Sequence, residues 1–304
     1  MIKKKISKRS IFVVSIMAIV LVILAGYIVM KQNFVMKGDK AGEILYRSDN
    51  VILQVLEQNQ NAQNVVILGE GYSESVNEEG IITHCDPLMF KQNTNLFNQD
   101  TQVIYVYYPF DVEQQKERLG IAGQEIASYI NENLKDYEEE NIVAIGHSKC
   151  GVCFANMAQW LNRKITIVTI SAPLKGTVVA DKSLFKEKMN YFEFSIYDIM
   201  FSDHQVDKDI IAGSYFLEQA NYDGLANQNH INIVSTCKKE SNNFIDNILS
   251  YINDKYSING DGIVSLESQL MEHENTIQIF IEASHATSME KGIEVAKQYI
   301  PCLQ

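Results

Sequence analysis

The chain has 304 residues, 46% of them hydrophobic and 21% charged with only four prolines, which excludes a disordered, collagen-like or disulfide-dense scaffold. Residues 1–40 hold eight Lys/Arg against Asp39 alone, which leaves 18 basic and 37 acidic residues, a balance of −19, in 41–304. A body this acidic repels nucleic acid and anionic head groups, so no nucleic-acid partner is expected.

In chain order the first feature is residues 11–30, IFVVSIMAIVLVILAGYIVM, twenty residues without a charge. At about 1.5 Å per residue such a helix spans a hydrocarbon core of about 30 Å. Five basic residues precede it, so the expected arrangement is a cytoplasmic tail (1–10), a transmembrane signal anchor (11–30), and the remainder outside the cytoplasm. A cleaved signal peptide is the rival, but it calls for a shorter apolar region and a small-x-small site, and Leu24-Ala25-Gly26 fits that poorly. Residues 31–42 read as a polar stalk. Residues 43–58, with Ile44, Leu45, Val51, Ile52, Val55 and Leu56, fit a partly amphipathic helix.

Beyond this point short β-branched runs alternate with helical patterns. Runs at 65–68, 103–108, 142–145, 165–170, 231–235 and 277–281 each read as a strand buried on both faces. Within 113–138, Leu119, Ala122, Ile126, Ile130 and Leu134 fall at helical spacing. The fold class expected is α/β, a mostly parallel sheet with helices on both faces, with ligands bound beyond the carboxyl ends of the strands. Five cysteines (Cys85, Cys150, Cys153, Cys237, Cys302) are odd in number and irregular in spacing, so no disulfide framework is expected. Without a second pair, Cys150-x-x-Cys153 reads as two small buried residues on a helix rather than a zinc or redox motif, and no metal site is expected.

The chemistry follows the strands. After 142–145 comes Gly146-His147-Ser148-Lys149-Cys150-Gly151 and then helix-compatible residues to Leu161. A serine on a sharp strand-to-helix turn holds its hydroxyl clear of the backbone and needs small residues around it. Gly146 meets that need, and Cys150 meets it less well. A nucleophilic serine needs a base, and the base an orienting acid. His285 follows the last strand directly, a position that His84, His147, His204, His230 and His273 do not share. Asp261, flanked by Gly260 and Gly262, sits in a tight loop 24 residues earlier, and Asp254 and Glu267 are the alternatives for its role. Oxyanion donors are expected from the backbone N–H of Lys149 and from the loop after 65–68, where Glu70, Gly71 and Tyr72 are the candidates.

At these stretches the chain resembles the α/β-hydrolase superfamily, and within it the lipase-like members. Gly146-His147-Ser148 is similar to the nucleophile elbow, and Ile170-Ser171-Ala172-Pro173-Leu174-Lys175-Gly176-Thr177 to the segment after the next strand. Asp261-Gly262-Ile263-Val264-Ser265-Leu266-Glu267-Ser268 is similar to the acid loop, and Ser284-His285 to the histidine loop; together the likeness spans about residues 60–300. The resemblance implies Ser148 as nucleophile, Asp261 as acid and His285 as base in one hydrolase domain (43–304), and no cofactor. It departs at Cys150, where the elbow usually has a second glycine, and at Leu68-Gly69, where a His-Gly pair is common.

The family often inserts a cap where this chain has residues 178–228, a small helical cap here rich in Met and aromatic groups. Phe192, Phe194 and Met200 are its candidates for contact with an acyl chain. The function expected is a membrane-anchored, extracytoplasmic serine hydrolase acting on a small-molecule or lipid ester through an acyl-enzyme. Acyl transfer, or non-catalytic binding on the same scaffold, are the alternatives.

Overall fold

In the computed structural model the described residues are 43–55, 58–69, 71, 75–76, 82–84, 96–108, 118–181, 208–237, 259–285 and 287–304. The chain enters through β1 (Glu43–Arg47), β2 (Ile52–Val55) and β3 (Asn64–Gly69). A separate antiparallel pair, β4 (Ser75–Val76) and β5 (Ile82–His84), precedes β6 (Thr101–Tyr107). Then come α1 (Arg118–Asn133), β7 (Ile142–His147), α2 (Lys149–Met157) and β8 (Thr166–Ile170). Further along the described residues come α3 (Tyr215–Gln219), β9 (Asn229–Ser235), α4 (Leu266–Gln269), β10 (Thr276–Ile281) and α5 (Ser288–Ala296), besides short 3-10 turns.

Eight strands form one sheet in the order β1-β2-β6-β3-β7-β8-β9-β10. From β6 to β10 all neighbours are parallel, and β1 and β2 add antiparallel strands at one edge. Side chains alternate between the faces of a strand, and β7 shows how both are filled. Ile142 and Ala144 pack with Leu119, Ile126, Val152 and Phe154 of α1 and α2. Val143 and Ile145 pack on the other side with Met289, Ile293 and Ala296 of α5. All four β7 side chains are fully buried, which is why the segment reads as an unbroken apolar run.

Two expectations fail. Residues 43–55 form no helix but the antiparallel pair β1–β2. The Ser48 hydroxyl accepts from the N–H groups of Asn50 (3.0 Å) and Val51 (3.1 Å) and turns the chain back, and Val51–Val55 then feeds both faces of the sheet. The second correction concerns β10, which is not buried on both faces. It is the edge strand beside β9, and Ile277 (48% exposed) and Phe280 (56%) face outward.

The apolar run 11–30, the stalk 31–42 and residues 182–207 of the expected cap, with Phe192, Phe194 and Met200, lie outside the described residues. Among the described residues no helix is long and apolar enough to cross a membrane. Of the rest of 178–228, Phe216 on α3 and Leu225 pack into the core beside α1 and α2.

Candidate active site

The parallel strands end along one rim, and Ser148 stands there between the last residue of β7 and the first of α2. Its φ of 52° lies in a region that side chains other than glycine seldom adopt. The strained turn is tied down by the Ser148 N–H, which donates to the Ile170 carbonyl at the end of β8 (2.8 Å), and by Gly151 N–H donating to the Ser148 carbonyl (3.0 Å). Strand and helix nearly touch at this corner: a Cβ on Gly146 would lie 2.7 Å from the backbone of Cys150 and Gly151.

Cys150, the residue at odds with the glycine-rich elbow, is accommodated from elsewhere. A Cβ on Gly69, at the end of the neighbouring β3, would lie 1.9 Å from its Sγ. The missing glycine of the elbow is therefore matched by a glycine on the adjacent strand.

The Ser148 hydroxyl lies 2.9 Å from Nε2 of His285, whose Nδ1 lies 2.8 Å from Oδ2 of Asp261. All three side chains are buried, with at most 6% exposure. An ionised carboxylate only accepts, so Nδ1 carries the proton and donates to Asp261, which leaves the Nε2 lone pair facing the hydroxyl. The turn before α4 fixes the acid. Asp261 Oδ1 accepts from Ile263 N–H (3.0 Å) and Val264 N–H (2.8 Å), Gly262 takes φ of 108°, and the His285 N–H donates to the Asp261 carbonyl (2.9 Å). Of the alternatives, Glu267 points to solvent on α4 and Asp254 lies outside the described residues. His230 is hydrogen-bonded between Thr169 and Thr276 within the sheet, and His273 sits on a turn with Asn275.

Gly71, two residues beyond β3, lies directly against this serine. A Cβ on Gly71 would lie 2.2 Å from Ser148 Cβ, 2.6 Å from its Oγ and 3.1 Å from the backbone nitrogen of Lys149. Only a residue without a side chain fits, so the backbone at 71 comes close to the hydroxyl and to the Lys149 nitrogen. Glu70 and Tyr72, the other two candidates, lie outside the described residues.

No family model matches the chain, and no curated protein does. Solved structures do match. A Bacillus licheniformis lipase in its mature form aligns at 13% identity with a TM-score of 0.53, covering 85% of this chain and all of the other. A fungal esterase from Rhizomucor miehei aligns at 14% identity with a TM-score of 0.51, covering 90% and 87%. The fold is that of the α/β-hydrolases. On this fold Ser148 stands at the turn between β7 and α2, and the turns that carry Asp261 and His285 lie at the same carboxyl rim of the sheet.

Three nearby features escaped the sequence reading. Lys149 is 1% exposed, with Nζ 5.4 Å from the centre of the Tyr108 ring, a cation–π arrangement. Gln269 of α4 accepts from Ser235 N–H (2.8 Å) and donates to the carbonyls of Ser235 (3.1 Å) and Val264 (3.2 Å), pinning the Asp261 turn to the end of β9. His147 pairs with Ser288 rather than with the Ser148 hydroxyl, and its ring centre lies 4.8 Å from that of His285. Only the position of His147 beside the serine was visible beforehand. The cysteine pair behaves as expected. Both are fully buried on α2, and burial pushes the Cys153 thiol up to about 12, far from a reactive thiolate. Among the described residues no cluster of three or more His, Cys, Asp or Glu side chains is arranged to hold a metal ion.

Proposed function

We propose that the chain is a serine hydrolase that cleaves carboxylic esters through an acyl-enzyme. The observation that carries the reading is the buried relay from Ser148 through His285 to Asp261, with links of 2.9 and 2.8 Å at the strand rim. Ser148 Oγ attacks the ester carbonyl while His285 Nε2 takes its proton. Asp261 holds the imidazole in the right tautomer and balances the imidazolium that forms. The tetrahedral oxyanion is held by the Lys149 N–H and an N–H of the 70–72 loop. Collapse expels the alcohol, which receives the proton from His285. Water then repeats the sequence on the acyl-enzyme, releasing the carboxylic acid and restoring the serine.

The substrate class rests on two supports. The fold is shared with lipases and esterases, and the sequence of 182–207 offers Phe192, Phe194 and Met200 as candidates for acyl contact. The uncharged run 11–30 behind five basic residues supports a single-pass anchor with the acidic body outside the cytoplasm.

The test uses the full chain in detergent with a fluorophosphonate probe. Labelling of the unsubstituted chain that disappears in Ser148→Ala is the expected result. Labelling that survives Ser148→Ala moves the nucleophile elsewhere, and no labelling at all favours a binding protein on this scaffold. An ester series of increasing acyl length then reads the cap: preference for short chains removes Phe192, Phe194 and Met200 from the substrate site.

A further inference from the structure

His147 is nearly fully buried, 3% exposed, and Ser148 makes its own hydrogen bond to a different histidine, so the proposed chemistry leaves it without a task. Its Nε2 lies 2.9 Å from the hydroxyl of Ser288, the first residue of α5. That hydroxyl in turn lies 2.9 Å from the carbonyl oxygen of His285. A carbonyl can only accept, so the single Ser288 proton is committed to it, and His147 must donate from Nε2. The sequence of bonds is then determined: His147 Nε2–H to Ser288 Oγ, and Ser288 O–H to His285 C=O. Its ring also packs against the His285 ring at 4.8 Å and 42°.

We infer that His147 is a positioning residue: through Ser288 and through ring contact it holds His285 with Nε2 facing the Ser148 hydroxyl. The inference rests on the hydrolase reading above and deepens it. Two anchors then act on the same base. Asp261 fixes Nδ1 and the His285 N–H, while the His147–Ser288 pair fixes its carbonyl and one ring face. Burial, with the nearby His285, pushes the His147 imidazole well below its ordinary range, so it remains a neutral donor. A neutral neighbour matters because His285 becomes positively charged in each half-reaction, and a second imidazolium at this separation would oppose that charge.

Three variants of the full chain separate this role from simple packing. His147→Phe keeps a ring but removes the donor, and Ser288→Ala removes the relay from a site where a smaller side chain fits. His147→Gln restores an N–H donor of similar reach. Each of the first two is expected to lower kcat about tenfold with KM nearly unchanged, since positioning acts on the reacting geometry. Because both cut one chain of bonds, the double variant should fall no more than about twofold below either single. His147→Gln should recover most of the loss, and the rate of fluorophosphonate labelling should follow kcat throughout. Wild-type kcat in His147→Phe and Ser288→Ala, fully additive losses, or a His147→Gln variant as slow as His147→Phe each overturn the inference. Should His147→Phe fail to fold, Ser288→Ala with His147→Gln carries the same comparison. Failure of the hydrolase reading is seen separately, as an unsubstituted chain that does not label or labelling that survives Ser148→Ala, and the positioning role falls with it.

Discussion

Two serines of this molecule sit in nearly the same backbone conformation, Ser148 at the end of β7 with φ of 52° and Ser171 at the end of β8 with φ of 50°. Each sends its N–H to a carbonyl of the next strand, Ser148 to Ile170 (2.8 Å) and Ser171 to Ile233 (2.9 Å). The resemblance stops at the hydroxyl. Ser148 Oγ meets an imidazole, whereas Ser171 Oγ meets the hydroxyl of Ser235 at 2.6 Å. A helix follows Ser148, while Ala172-Pro173 follows Ser171 and biases the chain away from one. The strained turn is therefore a delivery device used twice. The two differ in the partner set against the hydroxyl, because an imidazole can take a proton at neutral pH and a second serine cannot.

The largest effect should come from breaking this comparison at its centre. Ser148→Ala should reduce ester turnover by about a millionfold, to the level left by binding and oxyanion contacts, while Ser171→Ala leaves kcat within about threefold and only lowers Tm. Steady-state kinetics of the two variants side by side checks this, and equal losses would refute it. Next, Asp261→Asn should cost about ten-thousandfold in kcat with the fold intact, since an amide can donate to Nδ1 and favours the wrong tautomer. Gly71→Ala follows, with a kcat loss of about a hundredfold and a lowered Tm, because the new methyl would lie 2.2 Å from Ser148 Cβ and 2.6 Å from its Oγ, so the two backbones must move apart; unchanged kcat would remove Gly71 from the site.

The smallest effect belongs to the β8–β9 half and should appear in stability rather than turnover. His230 Nε2 donates to Thr169 Oγ1 (3.0 Å), because the Thr169 hydroxyl already donates to Asn232 (2.8 Å), and its Nδ1 accepts from Thr276 (2.8 Å). Burial, assisted by His273, lowers its pKa to about 3. Between that value and the ordinary 6.5 the unfolded chain binds a proton that the folded chain does not. Stability is therefore fully present above pH 6.5 and is lost as pH falls below it, by up to about 1.4 kcal/mol per pH unit for this one group. Urea unfolding at pH 7 and pH 5 should show the difference, reduced in His230→Asn. His147, shifted in the same direction, adds to the trend.

Much of this was legible in the sequence, and for a physical reason. A central parallel strand covered on both faces must be apolar throughout, so β3, β6, β7, β8 and β9 announce themselves as β-branched runs. The serine and the histidine follow from their places directly after such runs, and the acid from its tight Gly260–Gly262 loop ahead of the last one. β1 and β2 were misread because six apolar residues across a reversal mimic helical spacing, and the Ser48 hydroxyl that makes the reversal carries no apolar signal. β10 was overestimated because its apolar composition matches an inner strand while its place at the sheet edge depends on topology. The His147–Ser288 contact joins residues 141 apart, and no periodicity reports such a pairing. Glu70, Tyr72, Phe192, Phe194, Met200 and the run 11–30 lie outside the described residues, so their assignments rest on the sequence.

The crossing of β3 and α2 has a consequence for redesign. The volume there is filled once, by the Cys150 thiol, and is left vacant by Gly69 on the facing strand. Ownership of that volume is interchangeable: Cys150→Gly paired with Gly69→Ala would hand it from helix to strand and remove an oxidisable atom from the turn that carries Ser148, whereas either exchange alone leaves a void or a collision. The two positions form a single packing unit, 81 residues apart in the chain, and should be varied together.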